Sequence, residues 1–170
     1  MINVPSEISE DIIFLCNQLE SEKPVFVPIT PRPDLETGFC HYNSSHIAAG
    51  IEGEVIFGWA IYEEMIGEQP VVVAQFHSVV GSSRSIFDPT PNEINSEKIL
   101  FSIDRNRVYD FEKRYSWSNV YLATRIKKML TGGGGTFNQW IGSPVRAIAP
   151  EEAISDYIRK INSLIQTSPI

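Results

Sequence analysis

Read from the N-terminus, apolar positions first recur at helical spacing. Ile8, Ile12, Leu15, Cys16 and Leu19 share one face of a segment over residues 6–20, with Ser6 placed to cap it. The period then shortens. Residues 23–30 (KPVFVPIT) read as a short extended strand limited by Pro24 and Pro28. Residues 31–38 (PRPDLETG) form a loop by their two prolines and glycine, and a short helix is expected over 40–49, stopped by Gly50. Residues 53–63 (GEVIFGWAIYE) and 71–80 (VVVAQFHSVV) are rich in β-branched and aromatic side chains. A polar link containing Gly67, Glu68 and Pro70 joins them, which predicts an antiparallel pair. Residues 85–87 and 99–103 predict two further short strands. The C-terminal third predicts helices, one over 119–130 capped by Ser118 and one from Pro150 to about residue 165.

This pattern describes one α+β domain over residues 1–170. Its core, about 24–103, is an antiparallel β-sheet packed against a short helix, with an extra N-terminal helix and a helical C-terminal extension over about 110–170. The length of 170 residues suffices for a self-contained core, and 42% apolar with 21% charged residues is ordinary globular composition. A net charge of −7 argues against a nucleic-acid partner. The basic run Arg125-Ile126-Lys127-Lys128 is short and reads as a solvated helix face. No stretch approaches the roughly 18 to 20 apolar residues of a membrane span. The first residues carry acids where a signal peptide needs bases, so a cytoplasmic chain is expected, with signal-less secretion left open.

Two cysteines are too few for a disulfide framework. Cys16 lies among apolar residues, where a small buried thiol is the default. Cys40 has a different setting, "TGFCHYNSSHIAAG". A thiol that opens a helix meets the positive end of the helix dipole and free backbone amides, which favour the thiolate. Gly38 permits close approach of a substrate to the backbone, and the Cys40 amide is placed to hold an oxyanion. Such a nucleophile needs a base and a group that orients the base. His77, in an apolar strand, and Asp88, in the turn "DPTP", are of the right types. Strand alternation puts His77 on one face with Val71, Val73, Gln75 and Val79, and the Cys40 helix is expected on that face. Asn43, one helical turn after Cys40, is a candidate oxyanion donor; Gln75 and Trp59 are candidate substrate-binding residues.

Each residue also has an ordinary role open to it. Cys40 can be a buried structural thiol, His77 a satisfied core histidine, Asp88 a turn initiator before proline, Asn43 a loop partner and Trp59 core. His41 and His46 are not at metal-ligand spacing with Cys40 or His77, and His41 is expected to point away from Cys40, so neither a metal nor another cofactor is assigned. The glycines at 132–135 lack a preceding strand and a Gly-Lys-Ser/Thr ending; they read as a helix C-cap followed by a connector or lid.

The order and spacing of Cys40 in "GFC", His77 in "FHSVV" and Asp88 in "DPT" resemble the transglutaminase-like branch of the papain-like cysteine enzymes. In that superfamily the cysteine opens a helix packed on an antiparallel sheet, the histidine lies on one strand and the aspartate on the next. The chain is also similar to small bacterial proteins with Cys-x-x-Asn, Gly-Trp, Phe-His-x-Val and Asp-x-Thr-Pro motifs, here Cys40 with Asn43, Gly58-Trp59, Phe76 to Val79, and Asp88 to Pro91. The resemblance spans about residues 36–103. It departs at His41-Tyr42-Asn43, where a small-aromatic pattern is usual, and at Val79, where a tryptophan often follows. It implies a Cys-His-Asp triad for acyl transfer on an amide or thioester of a protein or peptide substrate, as hydrolase, deamidase or transferase. The alternative is a binding or accessory module that keeps the fold without catalysis.

Overall fold

A computed structural model describes residues 2–127, 136–140, 144–148 and 151–167. Helix α1 covers Glu10–Gln18, and its cap is Ser9, not Ser6: Ser9 Oγ accepts the Ile12 amide at 3.3 Å. Ser9 is the serine placed three residues ahead of the first buried position, so its oxygen reaches the open amide of the first turn. Ile12, Leu15, Cys16 and Leu19 bury the expected face.

The remaining elements in chain order are β1 (Val25–Pro28), α2 (Cys40–Gly50), β2 (Glu54–Ile66), β3 (Gln69–Gly81), β4 (Ile86–Phe87), β5 (Lys98–Ile103), β6 (Tyr115–Trp117), β7 (Val120–Lys127), β8 (Thr136–Trp140), β9 (Arg146–Ile148) and α3 (Glu151–Thr167). The chain is α+β. Its main sheet runs β1-β5-β2-β3-β7-β8, with β4 also on β3, and every named pair is antiparallel. Strands β6 and β9 form a separate small ribbon. No helix among the described residues is long and apolar enough to cross a membrane.

The centre is the β2–β3 hairpin, paired from Glu54↔Gly81 to Ile66↔Gln69. Only Gly67 and Glu68 are left for the turn, and Gly67 takes φ +63, the conformation such two-residue turns require. Pro70, expected in the link, lies inside β3. Alternation along the hairpin divides the core in two. Trp59, Ile61, Val72, Ala74 and Phe76 pack with α1, while Ala60, Val79, Ile99 and Phe101 pack with Val27 on the opposite face. Gly58 faces His77 across the hairpin. A Cβ there would sit 2.2 Å from the Ser102 carbonyl oxygen, so glycine is what lets β5 lie this close.

The helix expected over 119–130 is instead strand β7, which pairs Val71 to Ala74 of β3 with Ala123 to Val120. Its sequence carries a basic run compatible with a helix surface. The open edge of β3, however, offers backbone partners and buries Val120 and Leu122, and tertiary context outweighs local propensity. Ser118 caps no helix; its amide donates to the Val145 carbonyl at 2.8 Å and its hydroxyl accepts the Val145 amide. The glycines at 132–135 lie outside the described residues. The second C-terminal helix is present as α3, starting at Glu151.

Candidate active site

Helix α2 begins at Cys40, and Phe39 before it provides no side-chain cap. The amides of the first turn therefore lack partners from within the helix, as helix geometry demands. Gly38 has φ +83, and a Cβ placed there would meet nothing within 4 Å; backbone conformation is what favours glycine at this position.

The sequence placed α2 on the His77 face of β3, and it lies on the other. His41 packs on Phe57 and Phe76, and the Ser44 hydroxyl donates to the Ser78 carbonyl at 2.9 Å. The reason is area. Trp59, Phe57 and Phe76 form the broad aromatic surface, and the helix covers it. The thiol nevertheless meets His77, because β3 is incompletely flanked. Strand β7 pairs residues 71–74 and β4 pairs 80–81, so among the described residues the stretch 75–79 has no strand on that side. Cys40 stands at this gap.

His77 Nε2 lies 2.8 Å from Asp88 Oδ2, with both residues buried. The other nitrogen, Nδ1, is left free of Asp88, and Cys40 lines the same cavity wall as His77, near enough for its sulfur to favour the ring's proton. Asp88 is held from several directions. Its Oδ1 accepts the Thr90 amide at 2.9 Å across the Asp-Pro-Thr turn, its amide donates to the Pro28 carbonyl, and its carbonyl accepts the Thr30 amide. The three predicted triad residues thus converge from a helix end, a strand and a turn.

Burial works against charge on both reacting groups, and their partners override it. Around Cys40, desolvation raises the thiol, yet the imidazoles of His41 and His77 hold it well below the ordinary cysteine value. At His77, desolvation lowers the ring, yet Asp88 and the Cys40 sulfur hold it well above an ordinary histidine. Each partner thus favours the charged form of the other. Cys16 is the contrast: burial pushes its thiol up, with only Ser102, Ser21 and its own backbone opposing. Both cysteines are free.

Two cavities meet at the half-buried Cys40. One of about 370 Å³ runs over the His77 face and includes Tyr62, Glu64, Asp88 and Glu93. The other, of about 350 Å³, opens on the α2 face beside His41, Tyr109, Trp117 and Ile154. Gly38, Cys40, Gln75 and Asn119 border both. Gln75, expected on the cleft, is exposed on it. Asn119 was hidden in the sequence by the mistaken helix, since its place depends on β7.

Two expected site residues have other roles. Trp59 is fully buried, its indole Nε1 donating to Asp104 Oδ2 at 2.8 Å, so it is core and not substrate-binding. Asn43 is fully buried too, and cannot offer its amide to an oxyanion. Its Nδ2 donates to the Glu36 carbonyl at 2.9 Å and to Thr90 Oγ1 at 3.3 Å, and its Oδ1 accepts the Tyr157 hydroxyl. Asn43 ties the nucleophile helix to the Asp88 turn and to α3. His41, expected to point away, is beside Cys40. His46 belongs to no cluster of three or more metal-ligating side chains, none being found among the described residues.

No family model, no curated protein and no solved structure matches the chain. The functional reading rests on the geometry of Cys40, His77 and Asp88.

Proposed function

We propose that the chain is a cysteine-dependent acyl-transfer enzyme with a papain-like arrangement of its core. The single observation that carries this is the meeting of Cys40, His77 and Asp88 where two cavities join. A helix-end thiol, a strand imidazole and a doubly anchored carboxylate form a nucleophile, base and orienting group in contact order. In this reading the Cys40 sulfur attacks a carbonyl carbon of an amide or thioester. The first-turn amides, that of Cys40 among them, receive the developing oxyanion, and Gln75 on the shared rim is positioned to help. The His77 imidazolium then delivers its proton to the departing group. Two cavities on either side of the sulfur suit a protein or peptide substrate that lies across it.

The test is the rate of iodoacetamide labelling of Cys40 in the native protein as a function of pH, with Cys40→Ser as the control for labelling elsewhere. The expected result is a rate that persists as a plateau well into the acid range, where a model thiol has stopped reacting. A Cys40 that titrates like a free cysteine overturns the enzyme reading and leaves the non-catalytic binding module.

A further inference from the structure

The Cys40 sulfur has a second imidazole beside it. His41 is only 7% exposed, and its ring stacks on Tyr109 at 4.5 Å between centroids, with Phe76 at 5.4 Å and Phe57 at 5.8 Å. Its Nδ1 is 3.1 Å from Ser78 Oγ, which leaves Nε2 for the thiol of Cys40, the preceding residue on the same cavity wall, whose charge the ring favours. An aromatic nest of this kind is filled by phenylalanine at no polar cost, whereas a buried imidazole needs partners for both nitrogens. Here the partners are a hydroxyl on one side and the reactive sulfur on the other. His77 differs in being backed by a carboxylate and in lining the other cavity.

We propose that His41 is a second catalytic imidazole, donating its Nε2–H to the Cys40 thiolate from the cavity opposite His77. The proposal rests on the acyl-transfer reading and deepens it. When sulfur attacks the substrate carbonyl carbon, a C–S bond forms and the carbonyl electron pair moves to oxygen. Collapse breaks the bond to the leaving group, which takes the His77 proton. His77, now neutral, removes a proton from a water whose oxygen bonds to the acyl carbon. The C–S bond then breaks, its electron pair returns to sulfur, and the product acid departs. The sulfur becomes an anion again at that step, and His41 supplies a hydrogen bond to it while His77 is occupied with the water. Ser78 is a positioning residue, since its hydroxyl donating to Nδ1 leaves the His41 N–H on Nε2.

The titrating groups that face the His41 ring are Cys40 on α2 and Tyr109, whose hydroxyl bonds that of Tyr42, while His77 lies on the other face of β3. Burial first, then Tyr42, pushes the Tyr109 phenol up, with Arg114 opposing, which keeps it neutral through the labelling range. Strands β2 and β3 otherwise present Phe57, Phe76 and Ser78, and α3 presents Ala153 and Ile154 to this cavity; none titrates.

The test compares the pH dependence of Cys40 labelling by iodoacetamide, together with thermal unfolding, in the full chain and in His41→Phe, Ser78→Ala and His77→Gln. His41→Phe keeps the stacking surface. It is expected to lower the labelling rate about tenfold on the acid limb, a shift of about one pH unit. Ser78→Ala is expected to shift the limb the same way by less, and His77→Gln by more. A folded His41→Phe that labels along the wild-type profile overturns the proposal. Should that variant fail to fold, an unchanged profile in folded Ser78→Ala overturns it instead. An ordinary thiol in the wild type removes the enzyme reading, whereas a shifted His77→Gln beside an unshifted His41→Phe removes only the role of His41.

Discussion

His77 is 7% exposed and hydrogen-bonded to a carboxylate that is itself 2% exposed, so replacing it removes packing and a polar partner together. A base facing open solvent would be lost at little cost in stability; this one is not so placed. His77→Gln is expected to lose about 1–3 kcal/mol, seen as a lowered melting temperature, as well as the acid-range reactivity of Cys40. Asp88→Asn isolates the charge from the turn. Asparagine keeps an oxygen for the Thr90 amide, so the Asp-Pro-Thr turn survives with a small change in melting temperature. The carboxylate no longer favours the His77 proton, and the alkaline limb of the labelling or activity profile is expected to move to lower pH. An unmoved limb in folded Asp88→Asn would leave Asp88 as a turn residue alone.

Helix α2 is held at both the nucleophile and the aspartate by one side chain. Asn43 joins Glu36, Thr90 and Tyr157, and the Tyr157 ring stacks on Phe39 at 4.1 Å, directly before Cys40. Helix α3 therefore supports the start of α2 from far along the chain. Asn43→Ala leaves buried donors and acceptors unpaired and is expected to cost about 1–3 kcal/mol by thermal unfolding. Tyr157→Phe removes only the hydroxyl shared with Asn43 and with the Glu36 amide, which donates to it at 3.0 Å. The two losses are expected to be non-additive in the double variant, because they act on one network. Strict additivity would mean that α3 and α2 are not coupled through this contact. Asn43 was legible as a residue one turn from the nucleophile. Its partners were not, because two of the three come from segments distant in sequence.

Across the whole molecule, the Cys40–His77 pair has a pH signature that stability and reactivity report differently. His77, raised on folding, contributes stability that is complete below the ordinary 6.5 and lost as pH rises through its folded value. Cys40, lowered on folding, contributes stability that is complete above the ordinary 9.0 and lost as pH falls through its folded value. Between 6.5 and 9.0 the folded and unfolded pairs each hold one proton, so the pair adds no slope there. Below this window the unfolded pair holds more protons and stability falls with pH; above it the unfolded pair holds fewer and stability falls as pH rises. Relative to a Cys40→Ala/His77→Gln variant, the wild type is expected to have a parallel pH–melting curve inside the window and to lose stability on both sides of it. Divergence inside the window would mean that the pair does not share a single proton.

What the sequence determined by itself is what local pattern carries. Alternation in residues 53–63 and 71–80 specified the central hairpin, the dipole-favoured position of Cys40 at a helix start followed from "GFC" and the stop at Gly50, and the types needed for a triad were present in order. The tertiary structure alone decided which face α2 covers, because that depends on the joint area of Trp59, Phe57 and Phe76 from two strands. It decided that residues 120–127 are a strand, because the open edge of β3 supplied backbone partners that no local window contains. It also gave Asn43 and Trp59 to the framework and brought His41 to the sulfur. Hydrogen-bond partners far apart in the chain are chosen by packing, and periodicity along the chain does not encode them.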